Sequence, residues 1–135
     1  MKQYFLFLII VFFSCNDNDY KYKKNQLLFN QTKNSNKIKN IRSNKLINGE
    51  KIFNGSCATC HLYGSGGSIL INDKEMWKNI ISKKSIDTIY KNVINGLQGK
   101  NGYMPKRGGC ISCSDQDLIN SVNYIFSINR IDINN

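Results

Sequence analysis

Five consecutive residues, Cys57-Ala58-Thr59-Cys60-His61, constrain this chain more than anything else in it. Two thiols three positions apart lie on one side of a helical turn, and an imidazole follows directly. His61 is the only histidine among the 135 residues. If the chain holds a metal through histidine, it must use this ring, and it must fold so that both thiols and the ring face the same group.

That arrangement is the attachment pattern for a c-type haem. Cys57 and Cys60 can reach the two vinyl groups of one haem as thioethers, and His61 then supplies an axial nitrogen to the iron. Two other chemistries use paired cysteines. A thioredoxin-like dithiol needs a βαβ pattern around the motif, and none is found. A four-cysteine zinc site from Cys57, Cys60, Cys110 and Cys113 has suitable ligands. However, 49 residues separate Cys60 from Cys110, against about 15–20 in zinc ribbons, and His61 would be left without a role.

The fifth cysteine, Cys15, belongs to a different segment. Lys2 precedes an apolar run from Tyr4 to Phe13, too short to span a bilayer comfortably and suited to an export signal. Small Ser14 then precedes Cys15, as in bacterial lipoprotein signals whose cysteine is acylated. Residues 1–15 are therefore expected to be a lipoprotein-type export signal, with lipidation at Cys15. Residues 16–41 are rich in Asn and Lys, and their apolar residues keep no period. The expectation there is a disordered basic tether, with the folded domain over 42–135. Residues 1–45 carry a net charge of +7 and residues 46–135 a net +3. The excess charge thus sits beside the expected anchor and suits an anionic membrane surface. No nucleic-acid recognition motif accompanies it, and export would remove that partner.

A haem held by histidine leaves the other face of the iron to be decided. Met104 lies in Gly102-Tyr103-Met104-Pro105-Lys106-Arg107-Gly108-Gly109, directly before the only proline. That proline restricts its predecessor to extended geometry, which orders the methionine. Met76, beside Trp77 in a helical stretch, reads as a packing residue. A thioether ligand favours ferrous iron and raises the potential.

Periodicity makes the rest helical. Ile86, Ile89, Tyr90, Val93, Ile94 and Leu97 form one apolar face, closed by Gly96 near its end. Trp77, Ile80 and Ile81 form a shorter face. Ser114 caps a last helix with acidic residues in its first turn and a stripe of Leu118, Val122, Ile125 and Phe126. A first helix is expected over roughly Ser43 to Asn54. No segment alternates as a strand.

From about Arg42 to Ile128 the chain resembles a class I cytochrome c, most closely the small bacterial c-five type. The shared features run from Gly49 and Phe53, through Cys57–His61 and Asn72–Trp77, to Met104-Pro105-Lys106-Arg107-Gly108-Gly109-Cys110-Ile111-Ser112-Cys113. The resemblance implies an all-α fold, a cytochrome c-like small helical domain wrapped around one covalently attached haem c. Within it, the first and last helices cross at Gly49, with Phe53 and Tyr124 at the crossing. It also implies a Cys110–Cys113 disulfide. Two departures stand out. The proline whose carbonyl usually orients the ligand histidine is missing from Gly66-Gly67-Ser68-Ile69, and Lys106 stands where a second proline is common.

These readings converge on a monohaem carrier of single electrons between redox partner proteins. It would have His61/Met104 ligation, no enzymatic activity and no small-molecule substrate. Its place would be the periplasmic side of a bacterial membrane, anchored through its N-terminus. Trp77, Lys106 and Arg107 are candidates to neighbour the haem propionates. A haem enzyme or gas sensor would need an open sixth position. A haem subunit fixed in a larger oxidase or dehydrogenase would not.

Overall fold

The computed structural model describes residues 17–133, with side-chain surroundings from Lys23 onward. The expected export signal over 1–15, Cys15 included, lies outside the described residues. The chain divides into two compact units that meet between Ile38 and Lys39.

The first unit departs from the expected tether. Helix α1 runs from Asp17 to Ile52 without interruption. The absence of an apolar period shows that such a helix has no face to bury, not that the backbone cannot be helical. No glycine or proline occurs between Asp17 and Asn48 to break it. Local side-chain contacts lie along it. Thr32 Oγ1 donates to Leu28 O at 2.8 Å, and Lys33 Nζ sits 4.7 Å from the Phe29 ring centre. Leu27, Leu28, Phe29 and Ile38 are all exposed.

The second unit is the helical domain. Beyond α1 come a π-helical turn, Phe53–Cys57, and a short helix α2, Ala58–His61. After a glycine loop stand α3, Lys74–Lys83, and α4, Ile86–Asn95. A two-stranded antiparallel hairpin follows, β1 (Leu97–Gln98) and β2 (Tyr103–Met104), with Leu97 opposite Met104. Helix α5, Asp115–Ile128, ends the domain.

The stripe of α5 is buried as expected, and the faces of α3 and α4 are buried at Trp77 and Ile89 and partly buried elsewhere. Trp77, Ile89, Leu118, Val122, Ile125 and Phe126 are all buried, and Trp77 meets Phe126 edge to face with ring centres 6.0 Å apart. Each of these helices starts with a capping side chain: Asp73 accepts from Met76 N, Ser85 from Thr88 N and Ser114 from Asp117 N. Asp117 completes a reciprocal capping box at Ser114. Leu97, expected on the α4 face, instead begins β1, because Gly96 at φ 84° turns the chain out of the helix. The hairpin itself was not expected.

The α1–α5 crossing depends on Gly49. A Cβ there would lie 2.1 Å from Asn120 O and 3.1 Å from Tyr124 Cβ. Beside it the Phe53 and Tyr124 rings sit 5.9 Å apart, and Asn120 Nδ2 donates to Asn48 Oδ1 at 2.8 Å. Gly49→Ala should therefore lower stability by about 1–3 kcal/mol through overpacking, measured by denaturant titration. The capping box has its own pH signature. Hydrogen bonds from the Ser114 hydroxyl and backbone hold the Asp117 carboxyl below the usual range. Its stabilisation is thus complete above the unfolded aspartate value, about 3.9, and is lost as pH falls through the lower folded value. Asp117→Asn should flatten the acid limb of the stability–pH curve.

Candidate functional site

The site lies where a larger domain would have the centre of its core. A cavity of ≈ 290 Å³ is walled by Ile69, Trp77, Ile80, Ile89, Val93, Leu97, Val122 and Ile125. Cys57, Cys60, His61 and Met104 also line it. All four side chains singled out for haem attachment and ligation therefore meet around one largely apolar space.

The π-helical turn delivers the first of them. Ala58 N–H bonds to Phe53 O, one residue further back than in an α-helix. The extra residue buries both Phe53 and Cys57. Burial pushes the Cys57 thiol up, a hydrogen bond with Ser121 partly offsets this, and neighbouring Cys60 raises it further. Cys57 is thus held as a neutral thiol, whereas Cys60 is exposed.

His61 is fixed by backbone. Its Nδ1 lies 2.7 Å from Ile69 O. A carbonyl can only accept, so Nδ1 carries the proton, and in the neutral ring Nε2 keeps its lone pair. That is the tautomer a metal ligand requires. Ile69 therefore takes the place of the missing proline carbonyl. The loop holding Ile69 is itself tied down. Ile71 N donates to His61 O at 2.7 Å, and Ser68 Oγ lies 2.8 Å from Cys60 O and from Ser65 O. Trp77 Nε1 donates to Leu70 O at 2.9 Å, and Asn129 Nδ2 donates to Ile71 O at 2.7 Å. Sequence reasoning missed Ile69 because any residue type supplies a carbonyl.

Met104 is half-buried in β2. A Cβ built on Gly108 would lie 3.9 Å from Met104 Cε and 4.0 Å from Cys57 Sγ, so these two groups flank the same glycine. Met76 differs from its expected packing role: it is 40% exposed on the cavity rim, because α3 turns its buried face through Trp77 one position later.

Two of the three expected propionate neighbours are engaged elsewhere. The Trp77 N–H is taken by Leu70 O. Arg107 pairs with Asp115 Oδ1 at 2.7 Å and donates to Cys113 O, which holds its own backbone at φ 59°. Lys106 is exposed on the same turn. Cys110 and Cys113 are joined to each other in the structure, with Cα atoms 5.5 Å apart. This leaves no four-thiolate set, and among the described residues no group of three or more His, Cys, Asp or Glu side chains gathers to hold a metal ion.

A flat apolar cofactor carrying one metal fits this donor set. Cys57 and Cys60 would tether it, His61 Nε2 would bind the iron, and the aliphatic walls would exclude water. The group supplies one-electron redox chemistry, and the chain supplies attachment, orientation and a low-dielectric setting.

Comparison with known proteins agrees with that fit. Residues 44–125 match the protein-family model described as cytochrome c oxidase, cbb3-type, subunit III. Cytochrome c6 of Pyropia tenera is 35% identical over 82 residues, covering 61% of this chain and 91% of that protein. Cytochrome c-555 of Chlorobaculum tepidum is 34% identical over 77 residues, covering 57% and 70%. Cytochrome c6 of Leptolyngbya boryana is 38% identical over 74 residues, covering 55% and 80%. With the C-x-x-C-H motif on a helical turn at the edge of an apolar cavity in an all-α domain, the chain belongs to the class I cytochromes c, electron carriers with covalently attached haem.

Proposed function

We propose that this cytochrome carries single electrons with His61 and Met104 as axial ligands and haem c attached at Cys57 and Cys60. The observation that carries the reading is the His61 Nδ1–Ile69 O hydrogen bond, which leaves Nε2 for iron in a cavity that Met104 also lines. Both axial positions are then filled, so no site is left for a substrate or gas. Within the family we place the chain with the c-five type, on the strength of a disulfide-linked Cys110–Cys113 pair directly after the methionine loop. The disulfide closes a very short loop, so its entropic contribution is small; its role is to shape the segment behind Met104.

For location, we propose the periplasmic side of a bacterial membrane, reached through the export signal at 1–15 and held by acylation of Cys15. The exposed basic helix from Lys23 onward supports contact with anionic lipid. No helix among the described residues is long and apolar enough to cross a membrane. The family description also favours a second reading, a haem-bearing subunit of a larger oxidase. Recovery as a solitary monomer after mild detergent extraction would count against it.

The first test is a pyridine haemochrome spectrum of protein matured with c-type haem. The α-band of two thioether-linked vinyls is expected, and Cys57→Ser or Cys60→Ser should shift it toward one free vinyl. Zinc without haem would overturn the reading. Met104→Ala should lower the reduction potential and admit carbon monoxide to the ferrous iron, whereas Met76→Ala should do neither; the reverse pattern would move the ligand to Met76. Arg107→Gln removes the bond to Cys113 O and the partly exposed pair with Asp115. It should cost about 1–2 kcal/mol of stability, read by thermal unfolding.

A further inference from the structure

Two glycine loops meet backbone to backbone at the cavity rim. One, Gly66-Gly67, lies between His61 and Ile69. The other, Asn101-Gly102, leads directly into Tyr103–Met104. A Cβ on Gly102 would lie 1.8 Å from Gly66 O, and one on Gly67 would lie 2.3 Å from Asn101 O. Gly67 also sits at φ 75°, whereas Gly102 is outside the left-handed region, so Gly102 is required for space alone. All four residues line the cavity, and no backbone hydrogen bond joins the two loops among the described residues. The contact is therefore pure close approach, available only to glycine.

We propose that this crossing is a positioning device that sets the separation between the His61 side and the Met104 side of the haem pocket; it rests on the reading that Met104 is the sixth ligand. On one side Gly67 is two residues from Ile69, whose carbonyl holds the imidazole. On the other, Gly102 is two residues from Met104 and accepts the turn hydrogen bond from Gly99 N at 2.8 Å. Displacing Gly102 displaces the strand that carries the sulfur. A methyl there forces the loops apart by about 1 Å or more, given contact distances near 3.5 Å. A small displacement is enough to weaken a thioether–iron bond while leaving the covalent attachment and the helices in place.

The test uses the full haem-loaded chain. Imidazole is titrated into the ferric protein while the sulfur-to-iron charge-transfer absorption is followed. Three alanine variants form a graded series. A methyl at Gly55 meets nothing within 4 Å, one at Gly99 would lie 3.2 Å from Gly102 O, and one at Gly102 meets the opposing loop at 1.8 Å. Imidazole should displace the sulfur at about tenfold lower concentration in Gly102→Ala, a change of ~1.4 kcal/mol. Gly99→Ala should shift less and Gly55→Ala not at all, with haem content and helicity unchanged throughout. If Gly102→Ala does not accumulate, Gly99→Ala decides against Gly55→Ala. Equal titrations across the series overturn the inference alone. A wild-type protein without the sulfur–iron absorption overturns the ligation reading and the inference together.

Discussion

One hydrogen bond decides the chemistry of this domain. Because Ile69 O accepts from His61 Nδ1, the single histidine of the chain presents its other nitrogen as a lone pair. The remaining contacts around the motif keep that carbonyl still. In the loop from Leu62 to Ile71 only Ile69 and Ile71 pack against the core, and its three αL glycines would otherwise let it wander. Trp77 holds it at Leu70, Asn129 at Ile71, and the His61 carbonyl closes it at Ile71 N. One of these anchors, Asn129 at the C-terminal end of α5, is distant in sequence, so ligand orientation and the placing of α5 are one arrangement.

Packing shows the same dependence. Among the described residues the largest fully buried side chains, Phe53, Phe126, Leu118 and Ser121, belong to the π-helical turn and to α5, while the apolar faces of α3 and α4 are only partly buried. A domain this small has a limited core, and much of the aliphatic surface it does have forms the cavity wall. A haem held there would be a structural element as well as a redox centre, because it would cover the aliphatic cavity wall.

The parts of this arrangement legible in the sequence were those written in side-chain type and period. The cysteine–histidine pentapeptide, the stripes of α4 and α5 and the Ser114 cap all follow from such rules, whereas the crossing at Gly49 follows from the resemblance to class I cytochromes c. The parts that were not legible are backbone features. Strands of two residues have no period, so the hairpin carrying Met104 read as loop. A π-helical turn depends on one displaced hydrogen bond. The Ile69 carbonyl and the glycine crossing depend on where backbone atoms meet, not on what they bear. The helical run before Ser43 was missed for a different reason, since burial periodicity finds packed helices and residues 23–45 of α1 are exposed.

His61 has a consequence outside the pocket. Histidine is the one side chain whose ordinary charge change falls between pH 5 and 8, and this chain has a single copy. Once that ring is coordinated, the chain has no second histidine to carry a pH-dependent charge. The perturbed groups lie further off: burial raises Tyr90 and Tyr124, and Ser114 lowers Asp117. Long-range recognition of a redox partner by a chain of net charge +10 would then respond to salt concentration, through screening, and not to the protonation of a surface histidine.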